Sequence, residues 1–175
     1  MAEQKDRLGT ITLLAGKQIM GATALMKCLY LLQEVFDVPL DYDYTIYTYG
    51  PYCAQVAADI DFSTFYGYTA CRPWQEQGYS GRDYEPGDNV SEADTSFAQK
   101  YEKAITTIAE TFAVKQAKEL ELIATIVYVH VFHKRNNPKI EKKQIVTDVN
   151  RIKPHFDISH IEREYDNLVQ EKFLR

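Results

Sequence analysis

Apolar residues recur at helical spacing over much of the chain, and the exceptions mark where the fold changes character. Leu8, Ile11, Leu14 and Ile19 predict a helix over residues 8–20. Leu25, Leu29, Leu32 and Phe36 form a continuous stripe over 24–36, with Thr23 as the expected cap and Asp37 and Pro39 as the stop. The period then drops to two. Tyr42, Tyr44, Ile46 and Thr48 alternate with Asp43, Thr45, Tyr47 and Tyr49, which predicts a strand over 42–49. Gly50-Pro51 ends it. Pro51 suits the first position of a helix, where its missing N–H costs nothing, so a helix is expected from there to about Asp61.

Residues 67–90 are broken by Gly and Pro around two strand-like pieces, 70–75 and 82–85, and predict a hairpin beside strand 42–49. Ser91 and the acids after it open a helix over about 92–112. Another covers 115–133, apolar all round from Leu120 to Phe132, and ends at Asn136-Asn137-Pro138. Two more follow at 139–152 and 159–172, the latter with Ser159 and Glu162 spaced as a capping box. The expected fold is mainly α with a small antiparallel β-sheet or hairpin, a winged-helix-like N-terminal part packed on a C-terminal, helix-turn-helix-like part. Residues 1–175 suit a single compact domain, with a helix-helix-strand-helix-hairpin lobe at 1–90 and a helical lobe at 91–175.

Charge sharpens this picture because the two lobes differ. Between Gln33 and Asp94 twelve acidic residues face Arg72 and Arg82 alone, whereas from Lys134 to Arg175 ten basic residues outnumber seven acidic ones. A phosphate backbone requires clustered Lys and Arg, which the first half does not offer. A nucleic-acid surface would have to use Lys139, Lys142, Lys143, Arg151 and Lys153, and the helix beside them, 159–172, mixes in Glu162, Glu164, Asp166 and Glu171. Nucleic acid is therefore an unfavoured partner. The acidic half fits a basic protein partner, or a solvated face.

Chemistry is thin. No phosphate-binding loop, dinucleotide fingerprint, zinc-protease motif or nucleophile elbow occurs. His130 and His133 stand one turn apart but lack a Cys or carboxylate at a metal-binding spacing, and Asp41 and Asp43 share a strand face without a base to work with. No catalytic residue, metal or cofactor is expected, although an unrecognised enzyme stays open as an alternative. Cys28, Cys53 and Cys71 form no CxxC pair and are odd in number, which favours a reducing compartment. The N-terminal MAEQKDRLGT lacks a signal-peptide core, and the longest apolar stretch, 123–132, is too short to span a bilayer. A cytoplasmic location is expected.

Thirteen Tyr accompany a single Trp, and they crowd the predicted strand. A tyrosine has an apolar ring and a polar tip, which suits half-buried positions and contact surfaces alike. The helix with Leu25, Lys27, Tyr30, Leu31, Leu32 and Gln33, followed by an aromatic strand ending in Tyr49-Gly50-Pro51-Tyr52, resembles the YwgA-type proteins, related to the Panacea (SocA-like) antitoxin domain. About 40 residues carry the likeness. Met26 and Cys28 depart from the pattern while keeping the apolar face, and the Tyr-rich insert 66–88 is longer than that family's. The resemblance implies a mainly helical prokaryotic or phage protein that acts through protein contacts, such as neutralising a toxin or presenting a target to a protease. On that reading Tyr47, Tyr49, Gly50, Pro51 and Tyr52 are the candidate partner-binding residues, and a fold-determining corner is the plainer role for the same residues.

Overall fold

A computed structural model describes residues 2–17, 19, 21–76 and 79–174, with only the backbone at Glu76 and Tyr79. Helix α2 (Ala22–Val35) and helix α6 (Ala117–Asn136) pack against each other at the centre. Both are buried on nearly every side: Ala24 through Leu32 in α2 and Leu120 through Val127 in α6. The stripe expected on α2 thus widens until it wraps the helix, and Lys27 is buried along with the apolar residues. Helix α2 closes where Asp37 enters the left-handed region (φ 54°) and the Val38 N–H reaches back to the Leu32 carbonyl.

Helices α1 (Gln4–Ala15) and α3 (Ala54–Phe65) cover one side of α2. Helix α1 starts with a capping box between Glu3 and Asp6. Asp59 of α3, buried, accepts hydrogen bonds from Arg7 (2.8 Å), Gln4 (3.3 Å) and the Tyr42 hydroxyl (3.0 Å), tying α1, α3 and the chain before the first hairpin together. At Gly9 the helix meets the backbone of residues 94–95, and a methyl group there would sit 2.1 Å from the Asp94 carbonyl oxygen. Helices α7 (Lys142–Ile152) and α8 (Ile158–Gln170) cover α6, burying Ile145, Val146 and Val149 from one and Ile161, Tyr165 and Leu168 from the other.

Among the described residues the strands form two separate antiparallel pairs. Strand β1 is Thr45–Tyr47 and β2 is Gly50–Tyr52, so Tyr47 pairs with Gly50 across the two-residue turn Thr48-Tyr49. Gly50 holds φ 90°, a conformation glycine tolerates and other residues resist. Strands β3 (Thr69–Glu76) and β4 (Tyr79–Pro86) make the second hairpin, which packs on α1, α2 and α3 through Thr69 and Tyr84.

Several sequence expectations change here for identifiable reasons. Strand 42–49 shrinks to three residues because the chain folds back at Gly50 and takes its edge, so the 67–90 hairpin does not pair with it. Pro51 lies in β2 and the helix starts at Ala54, because an extended Pro51 presents its carbonyl to a buried cation described below. The helix over 92–112 is a 3-10 turn (Val90–Glu92), α4 (Ser96–Gln99), α5 (Glu102–Ile108) and a π turn (Ala109–Ala113). Asp94 breaks it by accepting the Ser96 N–H and hydroxyl, an Asx-type turn that competes with helix. Gly21 rather than Thr23 occupies the cap of α2, and Asp157 that of α8, with no side-chain cap hydrogen bond at either, so the Ser159–Glu162 box does not form.

Candidate functional site

Lys27 is a cation within the buried Ala24–Leu32 stretch, one turn into α2, with 3% of its surface exposed. An isolated buried ammonium is costly unless it finds acceptors. Its Nζ donates to the Pro51 carbonyl at 2.6 Å. From the opposite side Lys153, which follows α7 and is 2% exposed, donates to the Thr48 carbonyl and pairs with Glu121 of α6 at 2.6 Å. His155 Nε2 stands 3.8 Å from the same carboxylate. Two lysines from distant parts of the chain thus grip the turn and the second strand of the β1–β2 hairpin. Burial above all, then the charge of Lys153, pushes Lys27 down to about 8, with the Glu121 carboxylate pulling the other way.

The hairpin sits directly on this base. A methyl group at residue 50 would lie 3.2 Å from Thr125 Oγ1 and 3.5 Å from both the Glu121 carbonyl oxygen and Lys27 Cε. The aromatic residues point the other way. Tyr47 and Tyr49 are each 67% exposed and Tyr52 39%, and the Tyr47 and Tyr52 rings stand 5.8 Å apart. These rings border a cavity of about 320 Å³ that Met26, Lys27 and Ala57 complete. Leu29 and Leu32 lie wholly inside the core. The two lysines fix this corner through the Pro51 and Thr48 carbonyls, the chain neighbours of the exposed tyrosines.

Of the residues expected at a partner surface, Tyr47, Tyr49, Gly50, Pro51 and Tyr52 come together in this one hairpin, with Gly50 and Pro51 buried beneath the rings. The residues expected at a nucleic-acid surface differ in exposure and in their partners. Lys139 and Lys143 are exposed. Lys142 pairs with Asp166 at 2.7 Å, and Arg151 with Asp148 at 2.8 Å. Lys153 is a correction: it points inward to Glu121 and Thr48, so it belongs to the hairpin base and not to an outward basic face. His130 Nδ1 lies 3.1 Å from the Tyr165 hydroxyl and His133 Nε2 lies 2.9 Å from Asp148, so each histidine ties α6 to a covering helix. The Asp41 carboxylate accepts the Ala2 N–H at 2.6 Å. Cys28 is buried and its thiol is pushed up to about 12 by that burial, away from nucleophilic use. Among the described residues no group of three or more His, Cys, Asp or Glu is placed to hold a metal.

Sequence reasoning missed Lys27, Glu121 and Lys153 as a unit. The signal was a charge flanked by apolar residues inside each of two largely buried helices, Lys27 between Met26 and Cys28 and Glu121 between Leu120 and Leu122.

No protein-family model matches the chain, and no curated protein matches it. Among the described residues no helix is long and apolar enough to cross a membrane.

Proposed function

We propose that the chain is a non-enzymatic interaction module of the YwgA-like, Panacea-related kind, antitoxin-like or phage-defence-associated, which presents Tyr47, Tyr49 and Tyr52 to a protein partner. One observation carries the reading: exposed aromatic rings stand on a hairpin whose backbone two buried lysines hold fixed. Exposed tyrosines on a rigid support are the contact residues that interfaces favour, since little side-chain entropy is lost on docking. The acidic surplus of residues 33–94 supports a basic partner. Free cysteines at 28, 53 and 71 support a reducing, cytoplasmic setting.

The test is affinity capture from cells of the source organism with the wild-type protein and with a Tyr47→Ala, Tyr49→Ala, Tyr52→Ala variant. A partner recovered at least tenfold less by the variant, whose melting temperature is unchanged, is the expected result. Equal recovery by both proteins removes the hairpin from the interface.

A DNA-binding regulator using the helix-turn-helix-like α6, α7 and α8 is the second reading, and the exposed Lys139 and Lys143 favour it. The ion pairs of Lys142 and Arg151 weigh against it, because phosphate would have to displace Asp166 and Asp148. DNA retention that falls with salt and is lost in Lys139→Glu with Lys143→Glu would promote it.

A further inference from the structure

The charges under the hairpin do not balance. Lys27 and Lys153 are both buried, and among the described residues one carboxylate, Glu121, serves the pair while sitting against Lys153. An ammonium carries three donors, and the hydrogen bond from Lys27 to Pro51 engages one of them. The same lysine forms part of the wall of the cavity bordered by Tyr47, Tyr49 and Tyr52, where Met26 and Ala57 supply apolar surface. The first turn of α2, Ala22 and Thr23, closes that wall; it holds no acidic residue and no side-chain cap. A helix start of this kind adds to the preference for negative charge set by Lys27.

We propose that this cavity binds a carboxylate with an adjoining apolar body, the carboxylate at the Lys27 end and the apolar part among Met26, Ala57 and the tyrosine rings. At about 320 Å³ the cavity falls at the small end of ligand sites, which suits one carboxylate and one side-chain-sized group. The positive charge left over by the pairing of Lys153 with Glu121 makes an anion the matching ligand. Burial first, and then the charge of Lys153, lowers the affinity of Lys27 for its proton, and an anion placed in the cavity would act against both. Two sources present this chemistry, a free organic acid and the C-terminus of a peptide. The inference does not require the protein partner proposed above, since a free acid can occupy the cavity of the isolated chain.

The experiment uses the full-length wild-type protein at pH 7 and titrates 3-phenylpropionate, its neutral amide, and an acetylated tripeptide ending in phenylalanine as free acid or amide. Binding is followed by calorimetry and by the methyl NMR signal of Met26. Either acid binding at least tenfold more tightly than its own amide, with a shift of the Met26 signal, is expected. Preference for the peptide acid assigns the site to a chain end, and preference for the free acid to a small molecule. Acid and amide binding alike, or no binding by any of the four, overturns the proposal. Lys27→Met then provides a check on acid binding: it should remove the acid-over-amide preference. Retention of the preference in a folded Lys27→Met protein likewise overturns it. Failed partner capture with intact acid binding would discard the interaction reading alone.

Discussion

The two hairpins solve the same problem in opposite ways. The longer one, β3–β4, is largely its own support: eight residues per strand, Arg72 paired diagonally with Glu85 at 2.6 Å, and Trp74 lying across Gly81 with its indole N–H on Asp83 at 3.0 Å. The shorter one, β1–β2, has three residues per strand, too few to hold a ribbon in water. Its stability comes from the body, through Lys27 on α2 and Lys153 beyond α7. Beyond its buried Thr69 and Tyr84, the long hairpin can be altered with little effect on the core. A hairpin bolted to buried charges cannot, and that coupling makes it the better reporter of events inside.

The contrast breaks most decisively at Glu121. Glu121→Gln leaves Lys153 and Lys27 buried without a carboxylate, and a lost partner in a buried pair costs about 3–5 kcal/mol. Urea denaturation should show a loss of that size, and a loss below about 1 kcal/mol would mean that the hairpin base is not held by charge. The pH dependence is next. The pKa of Lys27 falls from 10.5 to about 8 on folding, so between those values the unfolded chain binds more protons than the folded one. This group's contribution to stability therefore rises with pH through that window, by about 2 kcal/mol from pH 7 to pH 9.5. Lys27→Met should lack the rise, and parallel stability curves for the two proteins would contradict it.

Smaller effects belong to the self-supporting hairpin. A methyl group at residue 81 would come 2.5 Å from the Trp74 ring, so Gly81→Ala displaces the indole at a cost of about 1 kcal/mol. Trp74 is the single tryptophan, and a shift in its emission with unchanged binding behaviour at the other hairpin is expected. Arg72→Ala removes an exposed ion pair and should change stability by less than about 1 kcal/mol. A larger loss there would show that the outer part of the long hairpin, beyond Thr69 and Tyr84, also bears on the body.

These comparisons also explain what could be read from the residues alone. The helices were legible because their apolar spacing is long and regular, and α2, α6, α7 and α8 fall within a few residues of their expected bounds. The short strands were not. Whether 42–49 runs straight or turns back depends on whether Pro51 extends or starts a helix, and Lys27, 24 residues away, decides it. The broken helix at 90–113 was hidden in part for a similar reason: the Asp94 turn onto Ser96 is local and was overlooked, whereas the close approach of this segment to Gly9 spans a distance that periodicity does not sense. At the site, the tyrosines and the Gly50-Pro51 corner were visible as a motif. The charges beneath them were not, because Lys153 sits in a basic segment and looks like surface until the fold turns it inward.

The meeting of α1 with residues 94–95 carries a consequence of its own. With hydrogen as its side chain, Gly9 lets two main chains touch that lie 85 positions apart, and the smallest added carbon would land 2.1 Å from the Asp94 oxygen. Any side chain there acts as a wedge, driven first between the N-terminal helix and the strap that leads into α4. A graded set of substitutions at this one site would pry the strap loose by steps of molecular size, a mechanical dial for asking how far the central α2–α6 pair depends on its wrapping.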